Sequence, residues 1–163
     1  MPPSWSKAQT REPSTRVAPN LPEQMSHLLA IEAGARANIR VLIVDDEHSL
    51  RESCASVLGA EGYAVTACGR GREALDLLAR QAFDIVLVDL LMSQVPGMEL
   101  LQAALDTNRD AVVIIMTGDP TLASSIAALQ AGAWDYLPKP FSGTQLQLLV
   151  TGQPLDPDRP RQG

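Results

Sequence analysis

Short runs of continuously apolar, largely β-branched residues recur along the middle of the chain. Three of them read VLIV (residues 41–44), DIVLVD (84–89) and AVVIIMT (111–117). Strands with this composition are usually covered on both faces and paired in parallel. A fourth run, YAVTAC (63–68), is more polar and richer in small residues, which is typical of an edge strand. A fifth, DYLPK (135–139), precedes a proline.

Helical patterns separate these runs. Apolar residues recur three and four positions apart between successive strands, which predicts amphipathic helices that cover the sheet. The predicted inward faces are Leu50, Cys54, Val57 and Leu58; Ala74, Leu75, Leu78 and Ala82; Met98, Leu101, Ala104 and Leu105; Leu122, Ile126 and Leu129; and Leu146, Leu149 and Val150. Gly62 and Gly132 follow the first and fourth helices as stop signals.

The alternation of strands and helices predicts the fold class. Alternating β and α units at this spacing form an open parallel sheet with helices on both faces. Right-handed crossovers leave few strand orders to choose among. We therefore expect an α/β fold.

The ends of the chain differ from this regular middle. Residues 1–38 begin rich in Pro, Ser and Thr, as disordered leaders do. Within them NLPEQMSHLLAIEAGARA (20–37) predicts a short helix with Asn20 as its N-cap. We expect the folded domain over residues 39–151 and a flexible, Pro-rich tail over 152–163.

Composition narrows the class of protein. The 163 residues, 45% of them hydrophobic, suit one domain with loose ends. A net charge of −6 without a Lys/Arg run argues against nucleic-acid binding. No apolar run approaches the ~20 residues that span a bilayer, and no signal-peptide core is present, so we expect a cytoplasmic protein. Cys54 and Cys68 are expected to be reduced, structural thiols, and His27 and His48 surface residues.

Polar side chains stand where the predicted strands end. Aspartates follow or close two strands, and a hydroxyl and an amine close two more: Asp45 and Asp46, Asp89, Thr117 and Lys139. The carboxyl ends of parallel strands form one edge of the sheet, where ligands bind in open α/β folds. We expect these five residues to converge in one cleft.

Three carboxylates in one cleft need a counterion. A hard divalent cation such as Mg²⁺ or Mn²⁺, bound by oxygen ligands, would supply it. With the amine of Lys139 and the hydroxyl of Thr117, the cluster could hold a phosphoryl group that a carboxylate attacks. Taken singly, each residue has an ordinary alternative, since acidic pairs cap helices, threonines begin turns and lysines are solvated. Their combination at four strand ends favours a site.

Five motifs, in this order and spacing, resemble the receiver domain of response regulators in bacterial two-component signalling. They are VLIVDDE (41–47), FDIVLVDLLM (83–92), VPGMELL (95–101), VIIMTG (113–118) and ALQAGAWDYLPKPF (128–141). The resemblance covers about residues 40–150. It implies a flavodoxin-like three-layer sandwich whose five-stranded parallel sheet has the order 2-1-3-4-5, with helices on both faces.

Roles follow by position from the resemblance. It implies that Asp89 is the phosphoacceptor, that Lys139 and Thr117 contact the phosphoryl group, and that Thr117 and Tyr136 act as switch residues. The lysine–proline peptide after the fifth strand is usually cis in this family. The implied ligands of Mg²⁺, or of Mn²⁺, are Asp45, Asp46, Asp89 and the backbone carbonyl of Leu91.

The resemblance also implies partners. The phosphoryl donor would be a sensor histidine kinase or a phosphotransfer protein, and the face formed by the fourth helix, fifth strand and fifth helix could form a homodimer. We expect no direct nucleic-acid binding by this chain and no membrane association. Its catalysis would be limited to its own phosphorylation and slow dephosphorylation.

Several alternatives remain open at the level of sequence. Ser93 and Pro96 stand where this family commonly has Pro and Asp, although Gly97 is retained. The chain could be a non-phosphorylated interaction module with the same fold, or the N-terminal fragment of a longer transcriptional regulator. A Mg²⁺-dependent phosphatase with an aspartyl nucleophile would want an acid at Leu91. A mononucleotide or flavin binder would want a Gly-rich loop after the first strand.

Overall fold

The computed structural model describes residues 34–92, 94–119 and 121–152, in which strands and helices alternate. The strands are β1 (Arg40–Val44), β2 (Ala64–Cys68), β3 (Ile85–Asp89), β4 (Val112–Thr117) and β5 (Asp135–Pro138). The helices that follow them are α1 (His48–Ala60), α2 (Gly71–Arg80), α3 (Gly97–Thr107), α4 (Leu122–Gln130) and α5 (Gly143–Thr151). All strand pairs are parallel and the order is β2-β1-β3-β4-β5, which confirms the predicted fold class.

The register keeps the carboxyl ends of the strands nearly level. Val44, the last residue of β1, lies opposite Val88, one residue before the end of β3. Thr117, the last residue of β4, lies opposite Pro138, the last residue of β5. The residues that follow these strands therefore emerge along a single edge of the sheet.

Apolar packing on both faces explains why the central strands read as continuous hydrophobic runs. Every residue of β3 and β4 is buried. Successive side chains point to opposite faces of a strand, so Leu42 packs with α2 and α3 while Ile43 packs with α1 and α5. β2, at one edge, is only partly buried, as its more polar sequence predicts.

The predicted inward faces of α1, α3 and α5 are buried or half-buried in the structure, and so are Ala74, Leu75 and Leu78 of α2. Ala82 is half-buried too, but it lies beyond the end of α2 at Arg80. The two glycine stop signals are also confirmed, because Gly62 and Gly132 have φ values of 102° and 112°. This left-handed region is open to glycine at little steric cost. Both helices therefore end where the sequence indicates.

The predicted inward face of α4 is wrong. Ile126 and Leu129 are 45% and 48% exposed, whereas Ala128 is fully buried; the side chain of Leu122 lies outside the described residues. The sequence of this helix, LASSIAALQ, contains no charged residue. Apolar spacing therefore does not distinguish its two sides, and the side that bears the small residue Ala128 faces the sheet.

Part of the predicted organisation lies outside the described residues. This applies to the leader helix up to residue 33, including Asn20 and His27, and to the tail from residue 153. Just ahead of β1, Nη1 of Arg36 donates to Oε1 of Glu61 at 2.9 Å, which joins this segment to the turn after α1. Among the described residues, no helix has the length and apolarity needed to cross a membrane.

Candidate functional site

The carboxylates of Asp45, Asp46 and Asp89 meet at the carboxyl edge of the sheet. One oxygen of each lies within 4.8 Å of the other two. Asp45 is completely buried and Asp89 is 5% exposed, whereas Asp46 faces solvent. The two central strands β1 and β3 lie side by side and deliver these residues, so the register of the sheet creates the cluster.

Asp45 is held by directed contacts and by charge. Its Oδ1 accepts a hydrogen bond from the backbone N–H of Glu47 at 2.8 Å. Its Oδ2 lies 2.8 Å from Nζ of Lys139 but has no well-directed hydrogen bond, so this contact is an ion pair. A buried carboxylate oxygen is costly unless a charge or donor faces it. The ammonium group of Lys139 offsets that cost here.

Asp89 has a similar environment. Its Oδ1 accepts a hydrogen bond from the backbone N–H of Leu91 at 3.1 Å, and its Oδ2 lies 3.3 Å from Nζ of Lys139. Burial raises the pKa of Asp89, and the Leu91 N–H and the Lys139 charge only partly oppose this effect. The carboxylate is thus poorly hydrated, and its charge is stabilised mainly by neighbouring groups.

Lys139 bridges two of the acids. Its Nζ contacts both Asp45 and Asp89, and its backbone N–H donates to the carbonyl of Thr117 at 2.7 Å. Burial lowers the pKa of Lys139, but the two carboxylates together more than offset it, so the net pKa is raised. The peptide between Lys139 and Pro140 is cis, as the resemblance implied.

Thr117 and Tyr136 occupy the neighbouring strands β4 and β5. Thr117 is fully buried, and its Oγ1 accepts a hydrogen bond from the backbone N–H of Asp119 at 3.2 Å. Tyr136 is half-buried, with its hydroxyl 3.2 Å from Oγ of Ser124. Ser124 also forms the capping box of α4 with Thr121. The hydroxyl of Tyr136 is therefore linked to the first turn of α4.

The loop after Asp89 approaches α3 closely. The N–H of Gly97 donates to the carbonyl of Leu90 at 3.3 Å, and a Cβ at Gly97 would lie only 2.7 Å from the carbonyl oxygen of Asp89. Pro96, at the N-cap, provides no side-chain cap. Leu91 is 59% exposed at the rim, and Ser93 lies outside the described residues.

Two residues at this edge were not identified from the sequence. Ser124 contacts Tyr136, and Arg51 donates to the backbone carbonyl of Asp45 at 2.9 Å. The capping pattern of Thr121 and Ser124 is visible in the sequence, but nothing local links it to Tyr136. For Arg51 the signal is its position in the first turn of α1, since helical side chains point back toward the N-terminus.

The three carboxylates fit a hard divalent cation. They offer only oxygen ligands, which Mg²⁺ and Mn²⁺ prefer. Oδ2 of Asp45 is buried without a directed hydrogen bond, and three acids face one ammonium group across the cluster. A second positive charge would offset the remaining repulsion between the carboxylates.

Comparison with known proteins identifies the family. A family model described as the response regulator receiver domain matches residues 41–151. The chain belongs to this family. Receivers of this kind generally act as phosphorylation-dependent switches, and the resemblance inferred from the sequence is confirmed.

Similar proteins support this assignment for the receiver. Response regulator MprA of Mycolicibacterium vanbaalenii is 39% identical over 108 residues, which cover 66% of this chain and 47% of that protein. The chain thus spans about half the length of the curated relatives it matches.

Solved receiver structures have the same fold. A CheY-like receiver from Methanospirillum hungatei superposes with a TM-score of 0.67 at 31% identity, over 70% of this chain and 91% of that one. A response regulator from Burkholderia pseudomallei, described with a phosphorylated aspartic acid, a calcium ion and citrate, has a TM-score of 0.63 at 29% identity. The match covers 68% of this chain and 65% of that one.

Proposed function

We propose that this receiver accepts a phosphoryl group on Asp89 from a phosphohistidine of a sensor histidine kinase or phosphotransfer protein. Phosphorylation then shifts an existing conformational equilibrium and changes which partner binds. The observation that carries the proposal is the arrangement of Lys139, whose Nζ lies 2.8 Å from Asp45 and 3.3 Å from Asp89 in a cleft that burial has desolvated.

The transfer is a displacement at phosphorus. A carboxylate oxygen of Asp89 forms a bond to phosphorus while the P–N bond of the phosphohistidine breaks, and the imidazole leaves. The ammonium of Lys139 holds a phosphoryl oxygen, and the hydroxyl of Thr117 holds another after leaving the Asp119 N–H. Fixed charges and donors of this kind provide most of the stabilisation in phosphoryl transfer.

The proposed metal ligands are the carboxylates of Asp45, Asp46 and Asp89 with the backbone carbonyl of Leu91. Bound there, Mg²⁺ or Mn²⁺ would neutralise negative charge on the phosphoryl oxygens. The Burkholderia pseudomallei structure supports this proposal, since it is described with a calcium ion and a phosphorylated aspartic acid. Ca²⁺ and Mg²⁺ both prefer oxygen ligands.

The proposed switch couples Thr117 to Tyr136. Thr117 moves toward the phosphoryl group, and Tyr136 turns inward, which removes its hydroxyl from Ser124. Because Ser124 also caps α4, this movement changes the start of that helix. We propose that this change alters the face formed by α4, β5 and α5 and so alters partner binding there. The partner on this face can be a second copy of this chain.

The proposed organisation is a leader over residues 1–38, the receiver over 39–151 and a tail over 152–163, in a cytoplasmic protein. A second possibility is that the chain is the N-terminal part of a longer regulator. The length of the curated relatives favours this alternative, because the matched region covers only 47% of MprA. Absence of nucleic-acid binding by this chain remains a prediction.

The first experiment is to measure intact mass after incubation of the full chain with acetyl phosphate and Mg²⁺. We expect a gain of one base-labile phosphoryl group, because Asp89 is the proposed nucleophile, and no gain in Asp89→Ala. Asp76→Ala, which removes an exposed carboxylate on α2, is the matched control and should be phosphorylated normally.

Two results would contradict the proposal. Folded wild-type protein that gains no phosphoryl group with Mg²⁺ would favour the non-phosphorylated interaction module. A phosphoryl group that persists in Asp89→Ala would place the acceptor elsewhere.

A further inference from the structure

The half-buried side chain of Arg51 contacts both ends of the connection between β1 and α1. Its Nη1 donates to the backbone carbonyl of Asp45 at 2.9 Å, and its Nη2 lies 3.0 Å from Nδ1 of His48. A guanidinium group has donors only, so Nδ1 of His48 accepts this bond. Because both donors belong to one rigid plane, Arg51 fixes the end of β1 relative to the first residue of α1.

Gly69, directly after β2, leaves the space that the guanidinium group occupies. A Cβ at Gly69 would lie 2.6 Å from Nη1 and 3.1 Å from Cζ of Arg51. The same two loops are joined by the backbone N–H of Asp45, which donates to the carbonyl of Cys68 at 3.3 Å. The guanidinium group is thus packed against the neighbouring loop.

With Arg51 in place, every polar atom of Asp45 has a partner. Its N–H is bonded to the end of β2, its carbonyl to Arg51, its Oδ1 to the N–H of Glu47, and its Oδ2 is paired with Lys139. The carbonyl that Arg51 holds belongs to the peptide joining Asp45 to Asp46, the exposed acid of the cluster. Fixing this peptide restricts where the carboxylate of Asp46 can point.

We propose that Arg51 is a positioning residue for the metal site, and that Gly69 provides the space it requires. The inference rests on the proposed function, in which Asp45 and Asp46 are ligands. Replacing a residue that orients metal ligands typically lowers metal affinity by about 10–100-fold. Arg51 orients these ligands by holding the Asp45 carbonyl.

The charge of Arg51 and its positioning role predict opposite effects on Mg²⁺ affinity when the guanidinium group is removed. Variants of Arg51 and Gly69 therefore distinguish the two roles. Taken as a charge alone, the guanidinium of Arg51 repels a bound cation, and its removal would tighten Mg²⁺ binding. Taken as a positioning group, its removal loosens Asp46 and weakens Mg²⁺ binding. Gly69→Ala keeps the charge and displaces the guanidinium group, a shift that the flexible end of the arginine permits.

The test is Mg²⁺ binding to the full, unphosphorylated chain, measured by isothermal titration calorimetry. We expect the affinity to fall about 10-fold in Arg51→Gln and in Gly69→Ala. Arg80→Gln is the control and should bind as the wild type does, because it removes an exposed arginine that faces Asp76 at 3.9 Å. Thermal unfolding without Mg²⁺ establishes that each variant is folded, and if Arg51→Gln is not, Gly69→Ala decides.

A second measurement reports on the contact itself. The imidazole ¹⁵N resonances of His48 should shift in Arg51→Gln and in Gly69→Ala, because Nδ1 loses its donor, and should not shift in the control Arg80→Gln. Wild-type binding of Mg²⁺ combined with equal or tighter binding in a folded Arg51→Gln would overturn the inference. Failure of the wild type itself to bind Mg²⁺ would instead overturn the proposed metal site.

Discussion

Lys139 is the residue on which the electrostatics of the cleft depend. A carboxylate left buried without its partner destabilises a protein by about 3–5 kcal/mol, the cost of removing one member of a buried ion pair. Asp45 and Asp89 are both buried here and share this ammonium group. The ammonium group of Lys139 is outnumbered by three acids, and the guanidinium of Arg51 contacts the backbone carbonyl of Asp45 rather than a carboxylate. The carboxylates therefore keep an excess of negative charge, which is the physical reason to expect a cation there.

The two cysteines allow a direct test of burial. Burial raises the pKa of Cys54 and of Cys68 from 9.0 to about 11. The unfolded chain therefore loses thiol protons at lower pH than the folded chain, so this contribution to stability is complete below pH 9 and declines toward pH 11. At pH 10 we expect the free energy of unfolding to be lower by about 1 kcal/mol for each thiol.

Urea unfolding at pH 8 and pH 10 measures this effect. The stability advantage of the wild type over Cys54→Ala/Cys68→Ala should narrow as the pH rises, and iodoacetamide at pH 8 should modify the thiols only in urea. Rapid alkylation of folded protein would show that these thiols are accessible.

At the scale of the elements, α4 differs from the helices that pack through large side chains. Among its side chains that the structure describes, only that of Ala128 is fully buried. A helix with so little buried apolar surface is readily displaced. Its link to Tyr136 through Ser124 gives the proposed switch an element that can move. Periodicity did not predict this, because a helix of nine residues without a charged side chain has no charged side to mark the face that meets solvent.

The start of α3 provides the prediction at this scale. Gly97→Ala should destabilise the protein, because the new Cβ would meet the backbone oxygen of Asp89 at 2.7 Å, and backbone yields less readily than a side chain. Gly59→Ala, near the end of α1, has nothing within 4 Å of the new Cβ. It should stabilise the protein by about 0.5–1 kcal/mol.

Urea unfolding of Gly97→Ala and Gly59→Ala measures both of these expected changes in stability. Gly97→Ala should also slow phosphorylation of Asp89, since its carbonyl and the following residue must shift, whereas Gly59→Ala should not. Equal stability of the two variants would mean that the loop after Asp89 relaxes at no cost.

At the scale of the whole molecule, the proposed metal site couples to stability. The three carboxylates come from both central strands, so a bound cation would stabilise the folded state but not the unfolded chain. Binding of this kind raises the free energy of unfolding by about 1.4 kcal/mol at ten times the dissociation constant. We expect the urea midpoint to rise with Mg²⁺ in the wild type and not in Asp46→Ala.

Sodium chloride at matched ionic strength controls for general screening, and Asp76→Ala should respond to Mg²⁺ as the wild type does. Asp46 is exposed, so its replacement leaves the core intact. A Mg²⁺-dependent rise that persists in Asp46→Ala would place the cation elsewhere.

The sequence by itself determined the strands, most helix faces and the polar residues that end the strands. These depend on local pattern: a buried parallel strand is a continuous apolar run, a helix covering it repeats every three to four residues, and Asp45, Asp89 and Thr117 stand where such runs stop. The motifs also indicated the family. Each of these signals lies within a few neighbouring residues.

The sequence predicted that the polar residues at the strand ends converge, but only the tertiary structure decided which atoms contact one another. Lys139 reaches Asp89 across 50 positions of sequence, Tyr136 meets Ser124 across a helix, and Arg51 fits the space beside Gly69 because β1 and β2 are paired. The side of α4 that faces the sheet was settled in the same way. Contacts of this kind depend on register and close packing between distant segments, which local patterns of polarity do not specify.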